Sequence, residues 1–144
     1  LIKPGKLDAD EWEQMKQHPQ IGHDILANID YLSPCKDIPW CHHEKWDGSG
    51  YPQGLKGEEI PLPARLMSVA DVFDALISRR HYKEPYPDEQ VMQIMREGRG
   101  QHFDPDVADA FLQNVAKFAE IAQRYRDEHA EESAAGHGPT LLSP

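Results

Sequence analysis

Residues 64–78, ARLMSVADVFDALIS, decide the fold class. Leu66, Val69, Phe73, Leu76 and Ile77 recur at steps of three and four, which places them on one face of a helix. Asp71 and Asp74 stand off that stripe, among Ala70, Val72 and Ala75. A carboxylate buried in such surroundings must be paired, protonated or metal-bound. In the competing reading, Arg65, Ser68, Asp71 and Asp74 form a narrow solvated stripe.

Helical patterning extends to both sides. Residues 8–17 predict a short helix, with Asp8 as N-cap and Glu11 three residues on, in the manner of a capping box. Pro19 suits the first turn of a second helix ending near Ala27, with Ile21, Ile25, Leu26 and Ile29 as its apolar set. Residues 33–37 predict a turn and 38–44 a short helix. Residues 88–97 follow Pro87 as a helix, and a long one runs from about Pro105 to His129, carrying Val107, Phe111, Val115, Phe118 and Ile121. Residues 46–63 contain Gly48, Gly50, Gly54, Gly57, Pro52, Pro61 and Pro63, a density that leaves only a long ordered loop. No internal repeat and no alternating strand pattern is present, so the chain is expected to be all-α.

The chain has 144 residues, 39% hydrophobic and 28% charged, enough for one core and outside the composition of disordered chains. No apolar run approaches the roughly 18 residues of a membrane span. Net charge is −10, from 25 acidic and 15 basic residues, which disfavours general binding to DNA, RNA or anionic membranes. Arg79, Arg80, His81 and Lys83 form a local basic exception, suited either to an anion or to a helix C-terminus. Cys35 and Cys41 make no metal or disulfide framework and suggest a reducing compartment. With Leu1 first and no signal peptide, the chain is expected to be part of a longer protein. Residues 131–144 turn small and polar and predict a flexible tail after a domain over 1–130.

Eight histidines offer metal chemistry. His42 and His43 are adjacent, so on a helix they diverge by about 100° and reach one ion together only at a helix end. Directly after them comes EKWDGSGYP, whose glycines allow close backbone approach to a ligand. Glu44 either orients a histidine from behind or sits exposed at the helix end.

The stretch HHEKWDGSGYPQGLKGEEIPLPARLMSVADVFDAL, with Lys3–Leu7, Met15–Pro19, Ser78–Lys83 and Gly100–Pro105 around it, resembles the HD-GYP domain. That subgroup belongs to the HD metal-dependent phosphohydrolases, and the resemblance spans about residues 1–115. It implies an HD-domain-like helical bundle with residues 46–63 as the GYP loop, and a phosphodiesterase hydrolysing cyclic di-GMP to pGpG or GMP in the bacterial cytoplasm. It further implies two or three divalent metal ions, iron or manganese first, with nickel or zinc also accepted. By position, His18, His42 and His43 look like the ligands of one metal and Asp71 like the carboxylate ligand of its neighbour, with Asp74 and Glu44 behind them. Arg80 and Lys83 look like the substrate-phosphate clamp. Gly50, Tyr51 and Pro52 resemble the signature tripeptide, associated with substrate approach and with diguanylate cyclase (GGDEF) domains as partners. A receiver or other regulatory domain is expected upstream.

The match has departures. The family's HD dipeptide, the lysine after it and an earlier ligand helix are expected upstream of Leu1. His23-Asp24 spells HD but stands where the family has no ligand, and is expected to be a surface pair. His81 replaces a more usual proline. His102 is expected to cap or pack the start of the last helix, and His129 and His137 to be solvated. Trp12, Trp40 and Trp46 are expected to anchor core or loop. An inactive cyclic-dinucleotide sensor or GGDEF-partner-binding module, or an enzyme for 3′,3′-cyclic GMP-AMP, remains open at this point.

Overall fold

The capping box at the first helix forms as its sequence dictates. Asp8 Oδ1 accepts from the Glu11 backbone N–H at 2.9 Å, and Glu11 Oε2 accepts from the Asp8 N–H at 2.9 Å. Such a cap is worth about 1 kcal/mol, which matters for a helix of seven residues. The computed structural model describes residues 8–78 and 86–135. In order these form α1 (Ala9–Met15), α2 (His18–Ala27), α3 (Asp37–Cys41), α4 (Leu62–Ile77), α5 (Asp88–Glu97) and α6 (Pro105–Ala135). Short 3-10 turns occupy Ser33–Cys35 and Gly57–Glu59. Among the described residues there is no strand, only an isolated bridge between Arg99 and Phe103. The chain is all-α, as expected.

Contacts divide the chain into residues 1–112 and 113–144. The first unit holds α1 to α5 and the start of α6. Its α4 contributes Ala64, Val69, Phe73 and Ile77 to the core, and Val91, Met95, Phe103, Val107, Ala108 and Phe111 are buried too. Phe73 and Phe111 meet edge to face at 5.1 Å. Cys41, Ile60 and Ala64 form a second cluster, covered by Trp40 and Leu55. In the second unit α6 continues to Ala135, past the expected end at His129 and into the expected tail. Residues 136–144 lie outside the described residues.

Several apolar side chains on these helical faces are exposed in this chain. Ile21 and Ile25 of α2 are 56% and 58% exposed, Leu66 of α4 is 52% exposed, and Ile121 of α6 is 48% exposed. Periodicity identifies a face but says nothing of whether another element covers it. The solvated-stripe reading of α4 also fails: Ser68 is buried, and Arg65 Nη1 donates to Asp104 Oδ2 at 2.6 Å. Arg65 also lies 5.8 Å from the centroid of Trp46. Asp104, not His102, caps α6, its Oδ1 accepting from the Asp106 N–H at 2.8 Å.

α2 and α3 approach closely because position 22 carries no Cβ. A methyl group there would come within 2.8 Å of the Pro39 Cβ.

Candidate metal centre

The Gly/Pro-rich loop is pinned at its start. Trp46 N–H donates to the His102 carbonyl at 3.1 Å and Asp47 N–H to the Gln101 carbonyl at 2.9 Å. Within the loop, Gly57 N–H donates to the Trp46 carbonyl at 2.9 Å, and Tyr51 N–H to the His43 carbonyl at 3.2 Å. Glu44 sits beneath it, only 1% exposed. Its Oε1 accepts from Gln53 N–H at 2.7 Å and its Oε2 from Leu55 N–H at 3.1 Å. Neither role expected for Glu44 describes this: it is not at an exposed helix end, and its carboxylate is engaged with loop backbone.

Gly50 passes directly over the peptide after Glu44. A Cβ at 50 would stand 2.3 Å from Lys45 N and 2.5 Å from Glu44 Cα. Both atoms belong to backbone and cannot swing aside, so Gly50→Ala must displace the loop. We expect a loss of about 3 kcal/mol in urea unfolding. A loss below about 0.5 kcal/mol would show that the loop is not seated this way.

α3 ends at Cys41, so His42 falls at its C-cap and His43 just beyond, the helix-end placement that lets neighbouring histidines converge. His18 opens α2 across from them. His18 Nε2 lies 3.0 Å from His43 Nε2 and 3.5 Å from His42 Nε2. One nitrogen from each of the three residues falls within 4.8 Å of the others, and this trio is the only such cluster of potential ligands among the described residues.

The other ring nitrogens fix the tautomers. His18 Nδ1 lies 2.6 Å from the Met15 carbonyl and His42 Nδ1 lies 2.8 Å from the Pro39 carbonyl. A carbonyl only accepts, so each Nδ1 carries the proton and each Nε2 presents a lone pair inward. Two such lone pairs at 3.5 Å repel unless a cation lies between them. Burial, reinforced by His42, His18 and His102, pulls His43 down to about 4, so it too is neutral near pH 7. Two nitrogens each about 2.1 Å from one ion stand about 3.0–3.4 Å apart at right-angled or tetrahedral geometry. The trio therefore suits a first-row divalent ion.

Around the trio, Tyr51 lies flat on His43 at 4.8 Å and 22°. Burial, then the Asp71 charge, raises the Tyr51 phenol. Asp71 is half-buried; its carboxylate is not part of the trio, but its field acts on both Tyr51 and His102. His102 stacks on Phe103 at 4.6 Å, and burial followed by Lys45 lowers its pKa. Asp74 is exposed and accepts from Ser78 Oγ at 3.0 Å. Arg80 and Lys83 lie outside the described residues. His23 pairs with Asp24 at 3.1 Å and is not one of the converging histidines, as expected. Cys41 is buried and its thiol is pushed up to about 11, by burial and then by Glu44 and Asp37, so it stays protonated.

A model of the HD domain matches residues 1–107. A probable cyclic di-GMP phosphodiesterase of Vibrio cholerae is 51% identical over 138 residues, which cover 90% of this chain and 31% of that protein. A 3′3′-cGAMP-specific phosphodiesterase of the same organism is 44% identical over 123 residues, covering 84% of this chain and 24% of that one. A crystal structure of a cyclic GMP-AMP specific phosphodiesterase from V. cholerae superposes with a TM-score of 0.59 at 25% identity, over 82% of this chain and 29% of that chain. The chain thus spans about a third or less of the length of these relatives. With the helical fold and three converging imidazoles in place, the match over residues 1–107 shows that the chain belongs to the HD domain family.

Proposed function

We propose that this chain supplies the three-histidine side of the metal centre in a phosphodiesterase that hydrolyses cyclic di-GMP to pGpG or GMP. The observation that carries the reading is the convergence of His18, His42 and His43, whose ligand nitrogens lie within 4.8 Å of one another, with the far ring nitrogens of His18 and His42 held against carbonyls. His18, His42 and His43 would hold one ion, and Asp71 would serve the neighbouring ion, in a centre of two or three divalent metals. Iron or manganese is the occupant that the family resemblance implies, and the same donor set accepts nickel or zinc. When bound, the metals would supply a hydroxide nucleophile and neutralise phosphoryl charge. Arg80 and Lys83 would hold substrate phosphates, and Gly50, Tyr51 and Pro52 would meet the substrate or a diguanylate cyclase domain. The setting proposed is bacterial cytoplasmic signalling under an attached receiver or other regulatory domain.

Cyclic GMP-AMP is the second reading, supported by relatives named for that substrate. The deciding experiment incubates the iron- or manganese-loaded protein carrying this chain with each dinucleotide and separates the products chromatographically. Cyclic di-GMP is expected to be cleaved, with turnover abolished by a chelator and restored by the metal. Preferential cleavage of cyclic GMP-AMP selects the second reading, and cleavage of neither overturns both.

A further inference from the structure

Trp12, expected to anchor core or loop, touches the loop at Tyr51 but is not buried. It stands on α1 with 46% of its surface exposed. Its ring meets Tyr51 edge to face, at 6.0 Å and 72°. Tyr51 in turn lies flat on His43 of the histidine trio. Three aromatic rings therefore run in sequence from solvent to the metal centre, with the indole outermost. An exposed indole forfeits about 25 cal/mol for each Å² of apolar surface left in water, a cost that a bound flat ring would remove.

We propose that Trp12 is a stacking platform for one base of the cyclic dinucleotide, an inference that rests on the phosphodiesterase reading above. With one phosphate at the histidines, the indole stands two ring contacts away, on the scale that separates a nucleotide's phosphate from its base. Tyr51 fixes the direction of that separation, because its own position is set by His43 and by the loop. Trp12 is thus a substrate-affinity residue rather than one acting on phosphorus.

The test compares wild type, Trp12→Ala and Trp12→Phe in the metal-loaded protein, with cyclic di-GMP as probe. Loss of a stacked base is expected to raise KM about ten-fold or more in Trp12→Ala while kcat changes less than two-fold, and phenylalanine should restore most of the affinity. Binding of cyclic di-GMP should also quench tryptophan fluorescence in wild type and less so in Trp12→Phe. An unchanged KM, or a fall in kcat alone, overturns the proposal and leaves Trp12 as a buttress for Tyr51. If the dinucleotide binds without being cleaved, the dissociation constant replaces KM. A ten-fold loss in Trp12→Ala would then uphold the platform while the catalytic reading falls. A wild-type protein that binds neither cyclic dinucleotide overturns both.

Discussion

His18→Ala is expected to lose the metal proposed for this centre and, with it, the proposed phosphodiesterase turnover. Loss of a residue that merely supports a metal ligand typically lowers metal affinity 10- to 100-fold, so loss of a direct ligand should exceed about 100-fold. The fold should survive. His18 is only half-buried, and α2 retains Pro19 at its start and its Gly22 contact with Pro39. His23→Ala, five residues further on and paired with Asp24 at the surface, serves as the matched control and should keep its metal. Elemental mass spectrometry of both variants, purified without chelator, reads the difference. Full metal content in His18→Ala would remove His18 from the centre.

Glu44→Ala should be the most destabilising change near the site. The carboxylate is almost fully enclosed and serves two loop amides, at 2.7 and 3.1 Å. Hydrogen bonds to a charged group contribute about 1.5–3 kcal/mol each. Alanine also leaves two N–H groups without an acceptor and a cavity behind them, for a total of about 3–5 kcal/mol. Domains of this kind hold about 5–15 kcal/mol in all, so the loss would be a large fraction. Glu44→Gln keeps the volume and one acceptor, but turns an amide NH₂ towards one backbone donor. Its loss should fall between wild type and alanine. Urea unfolding of the three proteins checks the order, and a loss below about 1 kcal/mol in Glu44→Ala would remove the carboxylate's anchoring role.

What the sequence disclosed follows the range of the forces involved. The capping box of α1, the Pro19 start of α2 and the extent of α5 depend on neighbours within a few residues, and each is present. The convergence of His42 and His43 was legible for the same reason, since only a helix end lets adjacent rings meet. The pairing of Arg65 with Asp104 spans 39 positions and leaves no local trace. Glu44 misleads in the opposite way: its position after two histidines suggests a partner for them, whereas its oxygens serve backbone nine and eleven residues downstream. The exposed Ile21, Ile25 and Leu66 show that a hydrophobic stripe states what a helix could bury, not what it does bury. For His18, the spacing to His42 gives no hint of proximity; the family resemblance supplied it, and the 3.5 Å separation of their Nε2 atoms agrees.

The contact between Gly22 and Pro39 bears on the calibre of the centre. Pro39 meets α2 through carbon at Gly22, and its carbonyl orients His42. One residue thus sets both how near α2 can come and where one ring from α3 points. The stop is steric, carbon against carbon, so the approach of α2 to α3 at this point is set by contact rather than by charge. The spacing between His18 and the two later histidines therefore leans on a carbon contact, and a side chain larger than glycine at 22 would be expected to widen it.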